Sequence, residues 1–274
     1  MICGRRRVLL KYWRMGKCKL GPLLLVRFLE GLFDKQADLY LDGRPTYPTQ
    51  WYSMLADHTL HHSLAWDVGT GNGQAALGAL VDLIIKPLPC VTCNVEICAY
   101  KCSAYTGRTL SHEVAEHYEQ VIGTDVSEAQ LKHAMAHPRV RYLPTQLSMS
   151  DDELITLIGG ENSVDLVTVA QAVHWFDLRK FYSLVARLLR KPGGVLAVWC
   201  YNDILVSPAF EPELSFEGFL KMIRSWSAVI TAKDQGVDLL SPTVVKELET
   251  VWGGPKLVRS VTYKAFMLAG KVKL

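Results

Sequence analysis

The first 29 residues contain no acidic residue, no serine and no threonine, although eight arginines and lysines fall among them. Nowhere does the chain carry 18 uninterrupted apolar residues, so no membrane-spanning helix is expected. The one apolar run near the start, Leu23 to Val26, is too short for a secretory h-region, and no small-residue cleavage site follows it. A transit peptide would share the arginines but would also favour serine, so residues 1–30 read as a basic, disordered extension. Beyond residue 29 there is no excess of cations: 22 basic residues stand against 27 acidic ones. A nucleic-acid surface needs clustered lysine and arginine, so no nucleic-acid partner is expected. Cysteines number seven, an odd total without an extracellular signature, which suggests reduced thiols in a cytoplasmic protein. Four of them (Cys90, Cys93, Cys98, Cys102) are close together, but only four residues separate Cys93 from Cys98. Structural zinc sites usually place about a dozen or more residues there, so no metal is assigned.

What is present can bury one sizeable core: 274 residues, 49% of them hydrophobic, are read as one domain over 31–274 with an appendage. The most informative stretch runs from Leu64 to Leu77. A short apolar run ends in Asp67-Val68, then Gly69, Gly71 and Gly73 alternate with other residues, then an apolar helical pattern starts. This is the pattern of a strand, a tight turn and a helix, with glycine where the backbone needs positive φ or a close approach. The dinucleotide fingerprint would put its last glycine at position 74, which is Gln74.

Further along, Gln120 to Asp125 reads as a strand ending in a carboxylate, and Val126-Ser127 opens a helix with Ser127 as cap. Tyr142-Leu143 is a brief strand, and Val164 to Ala172 is a β-branched apolar run of the kind buried on both faces of a parallel sheet. Leu178, Phe181, Leu184, Val185, Leu188 and Leu189 share one helical face behind Asp177, and Lys191-Pro192-Gly193-Gly194 stops that helix. A strand at Val195 to Tyr201, helices at Leu214 to Trp226 and Pro242 to Val251, and a strand at Leu257 to Phe266 complete the chain. Such alternation predicts an α/β fold: a Rossmann-like open, mostly parallel twisted sheet with helices on both faces and an antiparallel last strand.

The motif Asp67-Val68-Gly69-Thr70-Gly71-Asn72-Gly73, the strand end Gln171-Ala172-Val173-His174-Trp175 and the turn Pro192-Gly193-Gly194 together resemble class I S-adenosylmethionine-dependent methyltransferases. Leu41 to Pro48 and Gln171 to Asp177 are similar to the plant embryo-abundant and trans-aconitate methyltransferase group. The resemblance implies S-adenosyl-L-methionine as cofactor and a small-molecule methyl acceptor such as a carboxylate. It places Asp67, Gly69, Gly71 and Gly73 at the methionine end of the cofactor, with Arg44, and Tyr40 or Tyr47, reaching its carboxylate. Asp125 would hold the ribose hydroxyls, Val126 and Gln146 would border the adenine, and Gln171 would complete the cofactor set. His174 is the candidate general base or, equally, part of the pocket wall. Oligomeric state is not legible.

Two departures from the family pattern stand out. Asp125 lies 52 residues past Gly73, whereas such a carboxylate ordinarily lies about 20 residues on. Setting aside residues 79–113, with Pro87, Pro89 and the cysteine cluster, leaves 17 and joins Gly78 to the helical pattern of Val114 to Tyr118. The segment 79–113 therefore reads as an insertion. After the strand at Val195, Pro208-Ala209-Phe210 runs almost directly into Glu211 to Leu214, where family members usually have a further helix and a sixth strand. Hence two rivals: a non-catalytic or impaired variant of the fold, and an NAD(P)-binding oxidoreductase sharing the first βαβ unit.

Overall fold

The computed structural model describes residues 45–47, 49–71, 95–106, 110–208 and 213–272. The basic extension, the helical pattern from Gln74, and the site candidates Arg44 and Gly73 lie outside the described residues.

The elements follow in order as β1 (Pro45–Thr46), α1 (Thr49–His58), β2 (Leu64–Val68), β3 (Val95–Thr106), α2 (Leu110–Ala115), β4 (Gln120–Asp125), α3 (Glu128–Lys132) and β5 (Val140–Pro144). Then come α4 (Asp151–Ile158), β6 (Leu166–Ala170), a single 3₁₀ turn (Val173–Trp175), α5 (Leu178–Leu188) and β7 (Val195–Pro208). The chain continues through β8 (Glu213–Ser215), α6 (Phe216–Arg224), α7 (Ser227–Asp234), α8 (Pro242–Trp252) and β9 (Val258–Val272). One sheet holds all strands in the order β1-β3-β9-β7-β6-β2-β4-β5, with β8 added beside β9. β5, β4, β2, β6 and β7 are mutually parallel, while β9 runs antiparallel to β7 and β3. The mostly parallel sheet with an antiparallel last strand is as the alternation predicted.

Burial explains the composition of the central strands. Every residue of β2 and of β6 is buried, because helices cover both faces of the sheet. One face packs Ala65, Leu166, Ala170, Ala197, Trp199 and Met267 against α1, α2 and α6. The other packs Trp66, Val68, Val167, Val169 and Val198 against α4 and α5. α5 presents Phe181, Leu184, Val185 and Leu188 inward, and Asp177 caps it by accepting from the amides of Arg179 and Lys180. At the end of the sheet away from the glycine turn, buried Asp165 accepts from the amides of Ser63 and Leu64 and pairs with Arg190 at 2.5 Å.

The two departures noted in the sequence meet in space. Residues 95–106 of the presumed insertion form β3, which lies against the outer edge of β9 over a register from Val95↔Val272 to Ala104↔Tyr263. A chain shortened after β7 was expected to lack one sheet neighbour, and β3 occupies the place beside β9. α2 begins at Leu110, so the upper boundary drawn at 113 falls inside a helix. Cys98 and Cys102 fall on β3, and Cys90 and Cys93 lie outside the described residues. β7 and β9 are also longer than the sequence pattern indicated, because each satisfies the other's backbone through a bulge at Asn202–Ile204. Two helices were not anticipated, α4 and α7. The first carries a readable signal, the capping box Ser150-x-x-Glu153, whose reciprocal hydrogen bonds both form.

Candidate active site

β2 has β4 on one side and β6 on the other, so the strand order reverses at β2. In open parallel sheets a crevice forms outside the carboxyl ends of the strands at such a reversal. The residues there are Asp67 to Gly71 at the end of β2, Asp125 to Ser127 at the end of β4, and Gln171 to Trp175 after β6.

The turn after β2 is built by its own side chains. Gly69 and Gly71 have φ of 67° and 60°, which glycine adopts without steric cost. A Cβ on Gly69 would come within 2.6 Å of the Ala172 Cβ, so the turn also lies directly against the end of β6. Asp67, 1% exposed, accepts from the Thr70 hydroxyl at 2.6 Å and from the Thr168 hydroxyl at 2.9 Å. Its carboxylate therefore braces the turn from inside, and the Thr70 amide ties the turn to β4 through the Thr124 carbonyl at 2.9 Å.

Asp125 completes the turn from the neighbouring strand. One carboxylate oxygen accepts from the Gly71 amide at 2.8 Å and the other from the Ser127 amide at 2.9 Å. Burial raises its pKa above the ordinary carboxylate value, opposed by the backbone hydrogen bonds from Ser127, Gly71 and Val126. Three backbone amides, of Ser127, Gly71 and Val126, thus use three of the carboxylate's roughly four acceptor positions, and the group can take one more donor such as a hydroxyl. Thr145 is held next to it by a hydrogen bond from its amide to the Asp125 carbonyl at 2.9 Å. Val126 and Gln146 are both exposed on this rim.

The third strand end differs from what its sequence suggested. Gln171 is buried at 1% exposure and takes φ of 57°, a left-handed conformation costly for a non-glycine residue. Its side-chain Nε2 bonds the Tyr47 hydroxyl at 3.1 Å, which pins the segment before α1 over the strand ends. His174 sits in the 3₁₀ turn with its ring 4.9 Å from that of Trp175. Burial pushes its pKa down to about 4, so the imidazole is neutral at physiological pH. Its Nδ1 is shielded from solvent and has no hydrogen-bond partner. Of the predicted site residues, then, Asp67, Gly69, Gly71, Asp125 and Gln171 converge on the crevice, His174 follows on the same strand end, and Val126 and Gln146 border it. Sequence reasoning overlooked Thr70 and Thr168 as partners of Asp67, and Trp199, whose only signal was a large aromatic in a buried strand.

The parallel sheet with its reversal at β2, the glycine turn and the antiparallel β9 define the class I methyltransferase fold. A solved structure from Anaeromyxobacter dehalogenans, described as a type II methyltransferase, is 25% identical and superposes with a TM-score of 0.56, covering 83% of this chain and 97% of that one. Residues 103–198 match the family described as methyltransferase domain. A Dictyostelium discoideum protein classed by name among the methyltransferases is 32% identical over 164 residues, 60% of this chain and 46% of that protein. The methyltransferase cfoB of Aspergillus candidus is 27% identical over 172 residues, covering 60% of this chain and 41% of its own length. The chain thus spans less than half the length of these curated relatives.

Proposed function

We propose that this chain is an S-adenosylmethionine-dependent methyltransferase acting on a small molecule. The observation that carries the reading is Asp125: backbone amides hold both of its oxygens at the strand end beside the glycine turn, and the carboxylate keeps an acceptor position for a ribose hydroxyl. The bare glycine turn fits beside it, since Gly69 and Gly71 let a ligand approach the backbone closely. Val126 and the loop at Thr145 would flank the adenine. Arg44, from the resemblance, would meet the cofactor's carboxylate. The matched relatives are methyltransferases by name, which favours this reading over an oxidoreductase.

When bound, the cofactor supplies a methyl group on a sulfonium, which departs as a neutral thioether and needs no acid. The protein's part is then to position and to exclude water, effects worth up to ~7–11 kcal/mol in favourable cases. Asp67 holds the turn in place through Thr70 and Thr168. His174, neutral and with Nδ1 free of partners, would accept the proton of a hydroxyl, amine or thiol acceptor. A carboxylate acceptor, as in the trans-aconitate group, would not need that base.

Titration calorimetry with S-adenosylhomocysteine tests the proposal. The wild-type chain is expected to give saturable heat, and Asp125→Ala to bind about tenfold or more weakly, the loss of at least one charge-assisted hydrogen bond. No heat with the wild type would leave the non-catalytic variant as the reading.

A further inference from the structure

Two buried side chains next to the crevice are left with a bare polar atom. Trp199 on β7 is fully buried, yet its indole Nε1–H has no acceptor. Two other buried tryptophans satisfy theirs: Trp66 donates to the Thr124 hydroxyl at 3.0 Å and Trp252 to the Leu257 carbonyl at 2.8 Å. Gln171 is equally buried, and its Oε1 accepts nothing. An unmade hydrogen bond on a buried group is costly, so two neighbouring ones mark a place where something else belongs.

The two residues are neighbours. The Gln171 amide donates to the Trp199 carbonyl at 3.0 Å, and Ala170 pairs with Trp199 in the sheet register. Both side chains meet Tyr47. Gln171 Nε2 bonds the Tyr47 hydroxyl, and the Tyr47 ring stands edge-on to Trp199 with centroids 5.8 Å apart. Trp51 and Tyr52 of α1 add two more rings, at 6.3 and 6.2 Å from that of Trp199. The bare indole N–H thus lies among the rings of Tyr47, Trp51 and Tyr52, and the bare amide oxygen belongs to the side chain that holds Tyr47 there.

From this arrangement we infer that Gln171 Oε1 and Trp199 Nε1, under the Tyr47–Tyr52 wall, form the subsite for the methyl acceptor, and that the group seated there is an uncharged hydroxyl on an apolar or aromatic body. A hydroxyl both accepts, here from the indole N–H, and donates, here to the amide oxygen. A carboxylate could satisfy the indole but would oppose the amide oxygen. It would also share the region with Asp67 and Glu113, whose charges the Tyr52 hydroxyl senses. The inference rests on the methyltransferase reading for the name of the ligand, but not for the existence of the subsite.

The test uses the full chain labelled with ¹⁵N in its tryptophans, the Trp199 indole resonance being identified by its disappearance in Trp199→Phe. Phenol, benzoate and toluene are titrated with and without saturating S-adenosylhomocysteine. Phenol is expected to move the Trp199 indole proton downfield at millimolar concentration, benzoate to do so more weakly, and toluene not at all. Gln171→Met should weaken phenol binding about tenfold, one hydrogen bond's worth. Should that variant fail to fold, the comparison of the three probes on the wild type still decides. No shift with phenol, as when a tightly held water already satisfies both atoms, overturns the inference. Tighter binding of benzoate than of phenol overturns the uncharged class. A phenol shift in a protein that ignores S-adenosylhomocysteine would sink the proposed function and leave the subsite standing.

Discussion

Replacing Gly69 with alanine tests the reasoning about the turn most directly. Gly69 has φ of 67°, and an alanine held there costs about 1–2 kcal/mol for left-handed backbone alone. The added Cβ would also meet the Ala172 Cβ at 2.6 Å, closer than carbon atoms pack. Both atoms are fixed to backbone, so neither can swing away, and overpacking of this kind costs about 1–3 kcal/mol. The whole change should therefore destabilise by about 2–5 kcal/mol. Urea unfolding followed by circular dichroism, with an unchanged slope, measures this. Ala172→Gly in the Gly69→Ala background separates the two contributions, because it removes the clash and leaves the backbone cost. The double-mutant cycle should return a favourable coupling of about 1–3 kcal/mol. A loss below about 1 kcal/mol for Gly69→Ala, or no coupling with Ala172→Gly, would refute the claim that the turn packs on the end of β6.

Two further outcomes follow from the same structure. His174 has a folded pKa of about 4, depressed by burial from the ordinary 6.5. The unfolded chain therefore binds a proton that the folded chain does not between those values, and stability contributed above pH 6.5 is lost as pH falls towards 4. At most about 3 kcal/mol is involved, and His174→Asn should flatten that part of the stability–pH curve; an unchanged curve would show the ring to be exposed. Deleting residues 79–109 removes β3, keeps α2 and leaves the outer edge of β9 without its ladder. The shortened chain should exchange the outward amides of β9 quickly and associate through that edge, as light scattering and hydrogen exchange would report; a monomer with β9 still protected would mean that β3 is dispensable.

Much of the fold was legible because its signals are local. The buried runs at Leu64 to Val68 and Leu166 to Ala170, the amphipathic face of Leu178 to Leu188 and the caps at Ser127, Asp177 and Ser215 depend on residues a few positions apart. The glycine turn is legible for the same reason, since Gly69 and Gly71 answer to the chain's own backbone angles. Asp125 was found by its place at a strand end, once the spacing anomaly at 79–113 had been set aside.

What needed the tertiary structure were pairings between distant residues. No pattern near Asp67 announces Thr168, 101 positions away, yet their hydrogen bond determines that this carboxylate braces the turn. Residues 79–113 and the shortened region after Pro208 look like two separate defects in sequence. In the sheet they are related, because an edge left open beside β9 takes the nearest chain that can pair with it, and β3 does. Trp199 looks like an ordinary core residue, and Gln171 like a cofactor contact, until the sheet register brings them together with one polar atom each left bare. The sequence alone determined the parallel core of the sheet, the glycine turn and the carboxylate at the end of β4, because local geometry dictates them. Only the packing of strands and helices decided which buried groups are satisfied and which remain bare, because hydrogen bonds in a core are closed by neighbours in space.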